Sequence, residues 1–402
     1  MLYDLHMQIA IHGHHIGTQH HLLYDGDNFS WVDDIPDESY VFGSPDGFDI
    51  REAISVSGDD IYTFEDTPHA KAVRSIVGDE VKVPWFHVMP SAAFKRLLSK
   101  LLDDLWMFVS ENMGGYYIET LGANRQLLDR LQRPLVAVPL LKDLIKASTS
   151  SKASDISRFL PKGDDDIAPK TVYNLGGSIT GRLTVSSGPN ILTLKRSHRK
   201  IIKSRYDDGN IVQADISSLE PRIALAVAGK DSPDDIYTHV GDKIFKGELS
   251  RSQAKQSILT CIYGGSSWTL GKSLSKDVNP EKVLREVKRY FEIDGLNNML
   301  ESEIAEKGFI TNLYGRKIIS GDSLVNHFLQ STGVDVSLDV FRSLLASLDD
   351  SGEKYVPLYV IHDAIVLDVS MGALDTLRGI VKKSFKSSKI ECKFPLKVDI
   401  IS

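Results

Sequence analysis

The sequence predicts a mixed α+β fold distributed over more than one domain. Apolar residues recur at three- and four-residue intervals from Ser91 to about Lys146 and again through residues 226–311, as a buried helix face requires. Two later runs, Asn210–Ile216 and Tyr355–Val369, are rich in β-branched and aromatic residues and read as buried strands. A chain of 402 residues also exceeds one ordinary domain of about 100–200 residues.

With 42% hydrophobic and 25% charged residues the chain reads as soluble and globular. Its longest nearly uncharged apolar run, Pro134–Leu141, is far shorter than the ~20 residues that cross a bilayer, so no membrane partner is expected. The N-terminus shows no basic region followed by an apolar run, and a cytoplasmic location is expected. Two cysteines, Cys261 and Cys392, exclude a disulfide framework or a zinc knuckle. The net charge of −7 hides an asymmetry: residues 1–90 hold four basic against sixteen acidic residues, a balance of −12, which leaves +5 on residues 91–402. A mildly basic body can bind phosphate despite an acidic appendage.

Residues 1–92 form the acidic segment, with strand-like runs at Gln8–Ile11 and Ser39–Phe42 between Gly, Asp and Pro clusters. It holds His6, His12, His14, His15, His20 and His21, but no Cys and no helical His-x-x-x-His pair, so a metal site is not the favoured reading. Phe94–Trp106 has a helical apolar period, whereas Lys146–Ser154 is Ser-rich and reads as a loop. A basic cluster follows at Lys195, Arg196, Arg199, Lys200, Lys203 and Arg205, suited to a nucleic-acid backbone.

The strand Asn210–Ile216 carries Asp215 near its end, and Ser217-Ser-Leu-Glu220-Pro-Arg222 leads into an apolar helix. A carboxylate closing a strand beside a helix start suits a metal ion. Next, Arg251, Lys255, Leu259 and Tyr263 recur every four residues and would share one helix face that ends in Gly264-Gly265. Two cations and a ring on one face suit a triphosphate and a nucleobase. Amphipathic helices follow near Glu281–Phe291 and Leu300–Lys307, and a long one at about Ser323–Leu348. The two runs flanking His362-Asp363 read as a hairpin whose tight turn projects Asp363. Asp368, on the second strand, reads as a surface charge.

In this order the segments resemble the polymerase region of family A, the DNA polymerase I-like family. Asp215-Ile-Ser-Ser-Leu-Glu-Pro-Arg222 is similar to the family's first catalytic motif. Arg251-x-x-x-Lys255-x-x-x-Leu259-x-x-x-Tyr263-Gly264 is similar to its fingers helix, and Ile361-His-Asp363 to the third motif. Thr180-Gly-Arg182-Leu with Pro189-Asn190, and Asn326-x-x-x-Gln330, match two template-primer motifs.

The resemblance implies a right-hand architecture. A small acidic N-terminal domain (1–92), a reduced exonuclease remnant or a docking module for a protein partner, precedes a polymerase domain (93–402). The latter comprises a thumb (about 93–170), a palm with an antiparallel sheet (about 171–225 and 312–402) and helical fingers (about 226–311). It further implies a DNA-directed DNA polymerase acting on primer-template DNA and dNTPs, with two Mg2+ ions, or Mn2+ as substitute, on Asp215 and Asp363. Lys255 would protonate pyrophosphate; Arg251, Lys255, Leu259, Tyr263, Gly264, Tyr237 and His239 would meet the nucleotide; Glu220 would be the steric gate. Arg182 and Gln330 would read the minor groove, and Asn190, Arg196, Arg199, Arg222, Asn326 and His362 would support the DNA.

Some positions depart from the family pattern. Leu259 replaces an aromatic that senses the sugar 3′-hydroxyl. Tyr237 stands at a usual His, leaving open whether Tyr237 or His239 touches phosphate, and Ala364 replaces the Glu after Asp363. No Asp-x-Glu set with distant Tyr and Asp is found in residues 1–92, so 3′–5′ proofreading is not expected. The alternatives are a single-subunit RNA polymerase, against which Glu220 argues, and a catalytically silent nucleic-acid-binding protein with the same fold, against which Asp215, Lys255 and Asp363 argue.

Overall fold

The computed structural model describes residues 9–11, 21–24, 29–34, 40–42, 68–77, 92, 120, 123–124, 126–163, 165–175, 178–318 and 323–402. The chain forms two compact units, residues 1–119 with 175–177, and residues 120–174 with 178–402.

In the first unit, strands β1 (Ile9–Ile11), β2 (His21–Tyr24), β3 (Phe29–Val32) and β4 (Tyr40–Phe42) make a sheet in the order β3-β2-β1-β4, with β4 parallel to β1. Helix α1 spans Pro68–Val77. The strands expected at Gln8–Ile11 and Ser39–Phe42 are β1 and β4. His21 lies in β2; His6, His12, His14, His15 and His20, and the helix expected at Phe94–Trp106, fall outside the described residues.

The second unit includes the helices α2 (Val138–Lys146) and α3 (Ser150–Ser157). The Ser-rich stretch expected as a loop is therefore helical from Ser150 onward. Buried Ile156 and Phe159 anchor it, and two anchors are too few to leave an apolar period in the sequence.

Strand β5 (Asn210–Ile216) then enters the core, and Ser218, in the left-handed region at φ 58°, turns the chain into α4 (Leu219–Val227). Pro221 is the third residue of α4, within the first turn, where its missing N–H has no partner to lose. A helical block follows: α5 (Ile236–His239), α6 (Arg251–Ile262), α7 (Pro280–Phe291) and α8 (Ile293–Lys307). Asn279 caps α7 with Pro280 as its first residue, and Val283, Leu284, Val287 and Phe291 form its buried stripe.

The long helix α9 (Leu324–Ser351) lies against α4, where a Cβ on Gly333 would approach Leu219 Cδ2 to 3.2 Å. Hairpin strands β6 (Tyr355–Ile361) and β7 (Ala364–Val369) follow, then α10 (Met371–Ile380) and the last strand β8 (Leu396–Ile400). The central sheet has the order β6-β7-β5-β8, every pair antiparallel. Its inner strand β7 is buried throughout, which accounts for its nearly unbroken apolar sequence. Among the described residues no helix is long and apolar enough to cross a membrane.

Candidate active site

Pairing of β5 with β7 builds the site. Ala364 opposes Asp215, and the Ile216 amide donates to the Asp363 carbonyl at 2.9 Å, so the two aspartates sit on adjacent strands at one end of the sheet. Ile361 pairs with Ala364, leaving His362-Asp363 as a two-residue turn with His362 at φ 55°. Burial, then the neighbouring charge of Asp215, pushes the Asp363 carboxyl upward. Two hard carboxylate oxygen donors that repel each other fit a divalent cation, whose remaining positions water and phosphate oxygens fill. Among the described residues no cluster of three or more His, Cys, Asp or Glu side chains forms a metal cage by itself.

Glu220, the second residue of α4, joins this group. Burial and Asp363 raise its carboxyl, while the Tyr263 hydroxyl, donating to Oε1 at 3.3 Å, and the Arg182 charge draw it back. Burial, then the Glu220 charge, pushes the Tyr263 phenol up to about 12. Arg182, Glu220, Tyr263, Gln330, His362 and Asp363 line one cavity of about 250 Å³ with apolar walls. Six residues from five separate sequence motifs therefore converge. Gln330 donates to Asn326 Oδ1 at 2.9 Å, one turn earlier on α9. Arg182 is placed by its neighbour: Gly181 has φ 71°, and a Cβ there would fall 2.2 Å from the Arg316 Cζ.

Helix α6 presents its face as the spacing requires. Arg251, Lys255 and Tyr263 are exposed, and Leu259 is half-buried between them. Ser250 and Gln253 form a capping box at its start. At its end Gly264 donates to the Cys261 carbonyl (3.1 Å) and Gly265 to that of Thr260 (2.7 Å), a Schellman stop with Gly264 at φ 69°. Arg251 Nε pairs with Asp235 at 2.7 Å, and the guanidinium lies 5.2 Å from the Tyr237 ring, with Lys255 Nζ 5.7 Å from it. His239 instead faces the Tyr290 ring at 6.1 Å. The structure thus brings Tyr237, not His239, to the two cations. Cys261 is buried and its thiol is pushed up by burial to about 12, consistent with an inert side chain.

Three expectations are corrected. Asp368 is not a surface charge: it is 1% exposed and accepts from Ser204 Oγ, the Arg205 amide and Arg205 Nε. Arg222, expected at DNA, is 2% exposed and donates to the carbonyls of Ser217, Asp234 and Lys393, clamping the β5–α4 turn. Much of the basic cluster is engaged internally. Arg196 pairs with Asp399 while its side chain stays 61% exposed, Arg199 pairs with Gln213, Lys203 with Asp166 and Arg205 with Asp368, and Lys195 and Lys200 are exposed as well. Counting charges along the sequence does not reveal carboxylates that arrive from residues 166, 368 and 399. Asn190 accepts from the Leu192 amide at 3.1 Å in a local turn. Gln213, absent from the sequence-based set, donates to Asp215; the available signal was a polar residue two positions before Asp215 in an otherwise apolar strand.

A profile of DNA polymerase family A matches residues 119–402. The chain belongs to this family. The family match takes in every site residue described above. A curated relative, DNA polymerase I of Aquifex aeolicus (strain VF5), is 28% identical over 238 residues, covering 53% of this chain and 41% of the relative. The chain therefore aligns with about two-fifths of that protein's length. Among solved structures, the polymerase domain of Pol1 from M. smegmatis, in complex with DNA primer-template and dNTP, aligns with 98% of this chain and 94% of its own at 13% identity and a TM-score of 0.56. That likeness concerns the fold: a mixed α/β structure with an antiparallel sheet.

Proposed function

We propose that this family A chain is a template-directed DNA polymerase that adds deoxynucleotides to a primer 3′-hydroxyl. The observation that carries this reading is the meeting of Asp215 and Asp363 on adjacent strands, within the same site as the Tyr263–Glu220 contact that ties α6 to α4. In this reading residues 171–225 and 312–402 are the palm, 226–311 the fingers and 93–170 the thumb, with 1–92 an appended acidic domain suited to docking a protein partner.

Asp215 and Asp363 would hold divalent cations, Mg2+ by preference. Bound there, such ions make the primer hydroxyl a better nucleophile and neutralise charge on the departing pyrophosphate. The chain's own residues do the rest. Arg251 and Lys255 bind the triphosphate, and Lys255 gives a proton to the leaving oxygen. Tyr237, already beside both cations, fixes their approach. Tyr263 flanks the nascent base pair, and Glu220 crowds the position of a ribose 2′-hydroxyl. Arg182 and Gln330, on the cavity wall, donate to the minor-groove acceptors that all correct pairs share, with Asn190, Asn326, His362 and exposed Lys195, Arg196 and Lys200 along the backbone.

The test is extension of a labelled primer on a defined template with Mg2+ and either dNTPs or rNTPs. Template-directed growth with dNTPs and little with rNTPs is expected. Preference for rNTPs would make the chain an RNA polymerase, and no growth with either would leave a binding protein. A mismatched primer in the same assay is expected to stay unshortened.

A further inference from the structure

Gln213 stands two residues before Asp215 on β5, so both side chains leave the same face of the sheet. Its amide bridges two charges. Nε2 donates to Asp215 Oδ2 at 2.6 Å, and Oε1 accepts from Arg199 Nη1 at 2.7 Å. Both bridging residues are buried, Gln213 to 5% exposure and Arg199 to 9%. The amide has only one orientation that satisfies both neighbours: reversed, its NH2 would face a guanidinium and its oxygen a carboxylate.

Retaining Arg199 here is costly. Its Nε is buried with no hydrogen-bond partner, and a buried cation without full partnership destabilises the fold. Its neighbour Arg196 makes an ordinary ion pair with Asp399, whereas Arg199 reaches its carboxylate only through Gln213. A simple ion pair would need no intermediary. The intermediary holds one oxygen of Asp215 by a neutral donor while leaving the carboxylate its full negative charge for a cation.

We propose that Arg199 and Gln213 are positioning residues that fix the Asp215 carboxylate in one orientation for divalent-cation binding. Hydrogen-bonded supports behind a ligand carboxylate set its orientation, and their loss costs about 10–100-fold in metal affinity. Asp363 gains its place differently, from the two-residue turn between β6 and β7. The site thus combines one carboxylate tethered through its side chain with one positioned through its backbone. This inference rests on the reading of Asp215 as a metal ligand.

Two variants test it on the full chain: Gln213→Met, which keeps length and removes the amide, and Arg199→Gln, which removes the charge. Mn2+ binding to the free protein, followed by electron paramagnetic resonance, is measured beside kcat, dNTP KM, primer-template affinity and melting temperature. Gln213→Met is expected to weaken Mn2+ binding by about tenfold or more, and to lower kcat in a way that raised metal concentration restores. Its dNTP KM and DNA affinity should stay within about twofold of wild type. Arg199→Gln should shift Mn2+ binding in the same direction by a smaller factor, and it decides the question where Gln213→Met does not fold. A lowered melting temperature with unchanged Mn2+ affinity would overturn the inference and leave a packing role. Asp215→Asn separates the two levels: if it abolishes Mn2+ binding while Gln213→Met and Arg199→Gln do not alter it, only the relay fails. Unchanged binding in Asp215→Asn removes the metal reading itself.

Discussion

Glu220 is held half-buried between Asp363 and the Tyr263 hydroxyl, at the second position of a helix whose entry is fixed by Ser218 in the left-handed region. Its side chain has little freedom there, as a group that rejects a substrate by occupying space requires. Truncation should open the position: Glu220→Ala is expected to raise the ratio of kcat/KM for rNTP over dNTP by about tenfold or more, a change of about 1.4 kcal/mol in discrimination. An unchanged ratio would remove Glu220 as the gate.

At the scale of the element, α6 is fixed at both ends, and each end carries a prediction. At the C-terminus, a Cβ on Gly264 would meet no atom within 4 Å, while its φ of 69° requires the left-handed region. Glycine is therefore needed for the helix stop. Gly264→Asn, which tolerates that region, should cost under about 1 kcal/mol and retain extension; Gly264→Ala should cost about 1 kcal/mol. Chemical denaturation and primer extension check both. Stable Gly264→Asn protein without activity would instead assign the glycine to close approach of the nascent pair.

At the N-terminal end, Asp235 caps α5 and pairs with Arg251. Burial would raise its carboxyl, but hydrogen bonds from Arg251 and Thr238 outweigh that and hold it at about 2. A depressed acid stabilises the fold above its unfolded value and loses that contribution as pH falls toward about 2. The pair's side chains are 59% and 41% exposed, which limits the effect to about 1 kcal/mol. Asp235→Ala should therefore lose about 1–2 kcal/mol at neutral pH, cap included. Between about pH 5 and about pH 2.5 urea unfolding should show wild type converging on the variant. A constant gap across that range would contradict the assignment.

At the scale of the molecule, what could be read from the sequence was what local chemistry encodes. The spacing of Arg251, Lys255, Leu259 and Tyr263 gave a helix face, and His362-Asp363 between two β-rich runs gave a hairpin, because both patterns are complete within a few turns of chain. That Asp215 meets Asp363 followed only from the resemblance, and its contact with Gln213 was not read at all. Strand β5 pairs with β7 and β8, more than a hundred residues away, and no local pattern announces that register. Arg222 and Asp368 were misjudged, and the pairing of Arg199 with Gln213 was missed, for the same reason: their partners arrive from distant segments, and a charge in the sequence carries no mark of burial. Helix α3 escaped because two buried anchors, Ile156 and Phe159, suffice once tertiary packing supplies the rest.

In the proposed reaction one carboxylate from β5 and one from the β6–β7 turn together carry nucleotide addition. Single-turnover primer extension with dNTPs, comparing wild type with Asp215→Ala and Asp363→Ala at equal occupancy of primer-template, tests it most directly. Each substitution is predicted to reduce the rate by at least about a thousandfold, a loss of about 4 kcal/mol, with primer-template binding retained. Substantial synthesis by either variant would contradict the account.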